Sequence, residues 1–392
     1  MRILLFTGKG GVGKTTAAAG TAARAAEQGH RTLLLSTDAA HSLSDVFAAP
    51  VGPDPTPVAD LLFVSQVDAQ RHLELSWREV QGYLLSVLDA TGMDVVTAEE
   101  LTVLPGAEEV LALLELRAQV LSGDWDVVVV DCAPTAETLR LLALPQALAW
   151  YLDRFLPADG RLLRALRPVV ARTAGVPMPG DAVVAAVQRL RTDLAEVHDL
   201  LTGQEASVRL VLTPEALVLA EARRSLTTLS LFGYRVDGVV ANRVFPAEGA
   251  DDWRRAWVSA QQRVLEDVER SFAGVPVWRS PYRTSEPVGV QALRGLGRDL
   301  YGEADAVAPC RGPRPLSIDG TRAGATLRIA LPFVDQSEID LARHGDELVV
   351  TVGSYRRLVT LPAAMRNQSV AGARLDDGAL KVRFRTAPEV GA

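Results

Sequence analysis

The chain has 392 residues, 48% of them hydrophobic, and a formal net charge of −7 from 41 basic and 48 acidic side chains. That size and apolar content allow one large α/β domain with a smaller appendage, or two medium domains, while the acidic balance argues against a broad electrostatic grip on nucleic acid or on an anionic membrane. The two cysteines, Cys132 and Cys310, form no CxxC pair and cannot alone ligate a structural zinc, so a reducing cytoplasm is the expected setting.

Arg2–Phe6 reads as a buried strand leading straight into a glycine-rich loop, which argues against a signal or transit peptide, and no apolar run reaches the roughly eighteen residues that span a membrane. Gly8–Thr15 satisfies G-x-x-x-x-G-K-T, and the Ala-rich Thr15–Gln28 behind it reads as a helix, the strand, loop and helix context of a phosphate-binding P-loop. Gly8, Gly10, Gly11 and Gly13 let backbone N–H groups turn toward phosphate oxygens, and the helix N-terminus adds the positive end of its dipole. The expected nucleotide-binding set is Gly8, Lys9, Gly10, Gly11, Val12, Gly13, Lys14, Thr15 and Thr16. Within it Lys14 reaches the β- and γ-phosphates and the Thr15 hydroxyl ligates Mg²⁺, so ATP or ADP with Mg²⁺ is the expected cofactor pair. Lys9 is the odd member, because two residues into the loop it points away from the γ-phosphate pocket of its own chain. It is either a solvated loop lysine or a cation that serves another chain's nucleotide.

Further along, Thr32–Ser36, Asp126–Val130, Ser207–Thr213 and Gly238–Asn242 read as core strands alternating with amphipathic helices up to about Asp305, which predicts an α/β P-loop NTPase with a mostly parallel sheet flanked by helices. Asp131 ends the most apolar strand, the place from which a carboxylate holds Mg²⁺ through water. Between residues 145 and 203, Leu156, Leu162, Leu163, Leu166, Val169 and Val170, then Val183, Val187, Leu190, Leu194, Val197 and Leu201, recur at helical spacing and fit core or dimer contacts. Pro309, Pro313 and Pro315 with Gly312, Gly320 and Gly324 predict an extended connection over 306–325. Beyond it the period becomes two: Leu327, Ile329, Leu331 and Phe333, then Leu380, Val382 and Phe384, alternate with polar or small residues, and Asp376-Asp377-Gly378 supplies a hairpin turn. A small all-β sandwich over 326–386 with a short tail at 387–392 is the expectation.

The stretch Lys9-Gly-Gly-Val-Gly-Lys-Thr-Thr16 resembles the deviant P-loop of an ATPase class that includes partition and septum-site ATPases, the nitrogenase iron protein, and the arsenite-pump and tail-anchored-protein-targeting ATPases. Three further stretches are similar to the last of these families in the family's order: Ser36-Thr-Asp-Ala-Ala-His41-Ser-Leu-Ser-Asp45 to switch I, Leu104-Pro-Gly-Ala-Glu-Glu109 to its P-P-G-x-x-E, and Asp131-Cys-Ala-Pro-Thr135 with Thr138-Leu-Arg140 to switch II. The resemblance covers about residues 1 to 300 and implies a homodimer in which Lys9 crosses to the partner's nucleotide and stabilises charge on the transferring phosphoryl group. It implies that Asp38 positions the attacking water, with an N-cap aspartate as the plain alternative, and that Asn242 and the Pro281-Tyr282 loop hold adenine. For the apolar stripe between residues 145 and 203, the resemblance to the tail-anchored-protein-targeting ATPases implies a groove for a client instead of core or dimer contacts. The departures are Ala39 for the family proline, Ser42 for its asparagine and Ala136-Glu137 for its Gly-His pair, which bear on switch geometry and rate.

A single P-loop without a cysteine cluster argues against metalloid extrusion, the missing CxxC against a zinc-bridged dimer, and the position of Cys132 next to Asp131 against an iron–sulfur cluster. Residues 326–386 resemble a truncated α-crystallin, or small heat-shock protein, domain through Leu331-Pro332, Glu347–Val350, Leu361-Pro362 and Gly378–Val382. Together these resemblances imply a cytoplasmic, homodimeric, Mg²⁺-dependent ATPase that binds and releases a protein client, a membrane-protein segment among the candidates, without nucleic acid, zinc or iron–sulfur. A non-catalytic, nucleotide-stabilised chaperone or scaffold using the C-terminal domain is the alternative.

Overall fold

Leucine- and valine-rich runs form the middle of a parallel sheet in the computed structural model, which describes residues 1–38, 42–67, 107–133, 135, 138, 139, 142, 143, 181–310, 312–321 and 324–386. The strands β1 (Arg2–Thr7), β2 (Thr32–Ser36), β3 (Thr56–Ala59), β4 (Leu62–Gln66), β5 (Val127–Asp131), β6 (Ala206–Leu212), β7 (Val236–Val244) and β8 (Val277–Pro281) lie in the order β3-β4-β2-β5-β1-β6-β7-β8. All neighbours are parallel except β3 and β4. β1, β2, β5 and β6 are buried along their whole lengths, the signature of strands covered on both faces by helices. The chain leaves central β1 toward β2 on one side and places β6 on the other, so the segment after β1 opens at the point where strand order reverses, where α/β sheets receive ligands.

The covering helices are α1 (Lys14–Glu27), α2 (Leu43–Phe47), α3 (Ala107–Leu121), α4 (Asp181–Thr202), α5 (Ala216–Phe232), α6 (Asp252–Ser271) and α7 (Val290–Tyr301). α1 packs tightly because its inner face is alanine: Ala17, Ala18, Ala19, Ala22, Ala23, Ala25 and Ala26 are all buried. In α4, Leu194, Val197 and Leu201 are buried in the core around the parallel sheet, which takes the core alternative for these three residues of the apolar stripe. The other half, Leu156 to Val170, lies outside the described residues, as do His41, Leu104–Gly106, Pro134, Ala136-Glu137, Arg140 and the 387–392 tail.

The C-terminal region is a sandwich of two antiparallel sheets, β14-β15-β10-β9 and β11-β12-β13, built from β9 (Leu316–Thr321), β10 (Gly324–Ala330), β11 (Ile339–His344), β12 (Glu347–Val352), β13 (Tyr355–Thr360), β14 (Gln368–Asp376) and β15 (Ala379–Thr386), with a short helix α8 (Ala363–Arg366). Leu327, Ile329, Leu331, Leu380, Val382 and Phe384 fill its core, as their alternation predicts. Asp377 (φ 49°) and Gly378 (φ 62°) make the β14–β15 turn with Asp376 opposite Ala379. Two details differ from expectation. Phe333 leaves the strand period, with φ 63° and 50% exposure. β9 lies inside the stretch expected to be an extended connection, because residues after Pro315 pair with β10.

The sandwich rests on the parallel-sheet domain through α5. Leu231, fully buried, belongs to the sandwich core, while Leu219, Ala222, Leu229 and Phe232 of the same helix belong to the other core. The Thr227 hydroxyl donates to the Pro332 carbonyl, the buried Arg357 guanidinium of β13 donates to the Leu231 carbonyl, and Tyr355 meets Phe232 edge-on with ring centroids 6.4 Å apart.

Candidate active site

β1 delivers the chain into Gly8–Gly13 with little room to spare. A Cβ on Gly8 would sit 2.1 Å from the Val211 carbonyl oxygen, and one on Gly13, at φ 90°, would sit 2.3 Å from the Asn242 amide nitrogen. Only glycine fits at either point. Gly13 caps α1 without a side-chain hydrogen bond, and the first turn holds no acidic residue, so the free N–H groups and positive helix end face the loop without a built-in anion. Lys14 follows, 7% exposed. A buried ammonium at a helix N-terminus is costly by itself and is relieved by an anion such as phosphate.

Gly10, Gly11, Gly13, Lys14, Thr15, Thr16, Asp38, Asn242, Pro281 and Tyr282 line one cavity of about 520 Å³, a volume suited to a nucleotide-sized ligand. Four expected residues do not line it. Gly8 is buried in the turn, Val12 is 3% exposed in the core and offers the site only its backbone, Asp131 lies deeper at 0% exposure, and Lys9 is exposed outside the cavity. Asp38 donates its N–H to the Ser36 hydroxyl, and the next helix, α2, is capped at Ser42, so the N-cap alternative for Asp38 does not hold. Asn242 donates to the Val12 carbonyl at 2.8 Å, which ties the end of β7 to the loop.

Around Asp131, both carboxylate oxygens and the Thr7 and Thr135 hydroxyls are buried and reach no partner at full hydrogen-bond geometry among the described residues. The backbone places them together, since Thr7 precedes Gly8 and the Thr135 N–H donates to the Gly8 carbonyl at 3.3 Å. Burial pushes the Asp131 carboxyl up to about 7, against the nearby Thr15 hydroxyl and Lys14 ammonium, and Asp38 adds to the rise. Hard oxygen donors that the fold leaves unsatisfied suit a hydrated divalent cation such as Mg²⁺. Cys132, by contrast, is buried and its thiol is pushed up by burial and by Asp131, which makes it a small core residue.

The cavity lining also contains residues that sequence reasoning missed, Arg283, Glu286 and Val288 from the loop after β8 and Val46 from α2, beside Asp45 of the switch I-like stretch. Beyond the expected Pro281-Tyr282 loop, the signal for these residues was the polar Ser285-Glu286-Pro287 stretch before α7. Tyr282 continues into an aromatic group with Phe245, Trp253 and Trp257, of which Trp253 is 64% exposed. The i, i+4 spacing of the two tryptophans was the available signal.

Comparison with known proteins agrees with this geometry. Residues 1–302 match the anion-transporting ATPase (ArsA ATPase) family and residues 322–384 match an HSP20-like domain found in ArsA. A protein of Chlorobaculum tepidum bearing the name of an arsenical pump-driving ATPase is 35% identical over 98% of this chain and 96% of its own length. One of Aquifex aeolicus with a name of the same kind is 32% identical over 96% of this chain and 98% of its own. An ATPase ASNA1 homolog of Trypanosoma cruzi is 30% identical over 76% of this chain and 90% of its own.

Proposed function

The chain belongs to the ArsA ATPase family and is an ATPase, and on that premise we propose that it is a cytoplasmic homodimer that closes on Mg²⁺-ATP, hydrolyses it and reopens, coupling the cycle to capture and release of a protein client. Among the described residues no helix is long and apolar enough to cross a membrane. The observation that carries the reading is the split between the two loop lysines, Lys14 buried in the cavity and Lys9 exposed outside it. A cation held out of its own site is free to serve a facing copy, which supports the reading.

In this reading the loop amides, the α1 N-terminus and Lys14 bind the phosphates, and Asn242 with Pro281 and Tyr282 holds the base. Thr15, and Asp131 through water, would hold Mg²⁺, which when bound neutralises phosphate charge. Asp38, at the cavity wall, orients a water in line with the γ-phosphorus. As the water oxygen bonds to phosphorus, the bridge oxygen leaves with ADP and the water proton departs toward Asp38. The partner's Lys9 offsets the charge that develops on the transferring group.

Two points narrow the output of the cycle. Relatives carry arsenical-pump names, but of the two cysteines here one is a core residue with a raised thiol pKa, a poor basis for a thiolate site. The buried Leu194, Val197 and Leu201 are spent on the core, which confines a client groove to the rest of the 145–203 stretch. Asp38→Asn tests the chemistry: it should retain ATP binding by calorimetry and lose turnover about 10² to 10⁴-fold. Wild-type turnover in that variant removes Asp38 from its role.

A further inference from the structure

Where β7 leaves the sheet, its pairing with β8 slips between Ala241 and Val244, and the two residues between them, Asn242 and Arg243, stand out of register at the cavity. Arg243 adopts φ 58°, the left-handed region. A bulge of this kind re-aims side chains and removes backbone groups from the ladder. Gln261 of α6 supplies the missing partners. Its side chain, 6% exposed, accepts from the Phe245 N–H at 2.8 Å and donates to the Arg243 carbonyl at 3.1 Å. A primary amide, one donor beside one acceptor, is matched to that pair.

The same brace reaches the opposite wall. Phe245 stacks on Tyr282 with centroids 5.1 Å and planes 4° apart, and the Tyr282 N–H donates to the Val244 carbonyl at 2.8 Å. Asn242, with its amide nitrogen committed to the Val12 carbonyl, keeps its oxygen as an acceptor. An acceptor suits the exocyclic amino group of adenine and opposes the oxo group of guanine.

We propose that Gln261 is a positioning residue that sets the base selectivity of the nucleotide site, by holding the Asn242–Arg243 bulge and, through Phe245, the Tyr282 ring in one geometry. This rests on the reading of Asn242 and Tyr282 as base contacts. Gln261 does not line the cavity, so its effect passes through the backbone it satisfies.

The test compares kcat and KM for ATP and for GTP in full-length wild type, Gln261→Leu, Gln261→Glu and Asn242→Ala, with a thermal melt of each. Gln261→Leu should raise KM for ATP about tenfold, change kcat less, and narrow the ATP preference over GTP in kcat/KM about tenfold. Gln261→Glu, which keeps the acceptor and loses the donor, should fall between, and it carries the test alone if the leucine variant does not fold. A lowered melting temperature with wild-type ATP preference in both Gln261 variants overturns the proposal and leaves Gln261 a purely structural brace. If Asn242→Ala collapses the preference while the Gln261 variants keep it, only this inference fails. If Asn242→Ala also keeps it, the base lies elsewhere and the reading beneath fails too.

Discussion

Asp131 carries a burial cost that depends on pH. The folded chain holds its proton up to about pH 7, whereas an unfolded aspartate releases it near 3.8. Between those values rising pH takes protons from the unfolded state first, so this group lowers stability as pH rises and its cost levels off above about 7. Asp131→Asn, neutral and of equal size, removes that dependence. In nucleotide-free, Mg²⁺-free protein the variant should match wild type at pH values below the unfolded pKa and gain on the order of 3 to 4 kcal/mol by pH 8, read from urea melts across pH. A constant gap at all pH values would place the carboxylate in a polar, ionised environment and contradict the account. At this scale the phosphate loop was legible because phosphate binding needs contiguous residues at fixed spacing, and Lys9, Lys14, Thr15 and Asp38 stand out in the string. Gln261 was not legible, since its partners lie 16 and 18 residues away and the amide acts only once β7 has bulged.

α5 is the element that joins the two cores. Its sequence carries apolar residues around most of its circumference, which reads as a buried helix but not as a helix buried against two different partners. Leu231 is the residue that faces the sandwich, and Leu231→Ala should cost about 2 to 5 kcal/mol, as for other fully buried leucines. Because the loss falls at the junction, the variant should also expose β10 and β13 amides to hydrogen exchange before those of β1 and β5. Exchange of the β10 and β13 amides at the wild-type free energy in that variant would mean that Leu231 does not join the sandwich to α5 energetically. The long buried strands β1, β2, β5, β6 and β7 were evident as apolar runs, whereas β3, with Pro57, and β8, with Arg279 and Pro281, are short and half-exposed edge strands without period or apolarity to mark them. β9 hid for a related reason: proline and glycine around it signal a connection, and only its neighbour β10 makes it a strand.

For the whole molecule, sheet order sets the cavity at the strand-reversal point of an ArsA-family ATPase, with an HSP20-like sandwich seated on α5. The class of fold followed from alternating strand and helix patterns, and the C-terminal β fold from its period of two. How the sandwich sits was beyond the sequence, because Arg357, Thr227 and Leu231 meet only through tertiary packing. The sandwich also adjoins the turn before Tyr234, where Arg357 lies against Gly233, and the Tyr234 hydroxyl donates to the Leu142 carbonyl at 2.6 Å.

The central claim is a site completed across two copies by Lys9. Its most direct test is turnover of co-expressed Lys9→Ala and Asp38→Asn chains, each nearly inactive alone, with Lys9→Ala expected about 10² to 10³-fold below wild type. In a mixed dimer the site that keeps Asp38 receives an intact Lys9 from the other copy. With random pairing about half the dimers are mixed and one of two sites in each is whole, so roughly a quarter of wild-type turnover should return. Mixtures as inactive as their parents, or a Lys9→Ala chain that turns over like wild type, would contradict a lysine acting between copies.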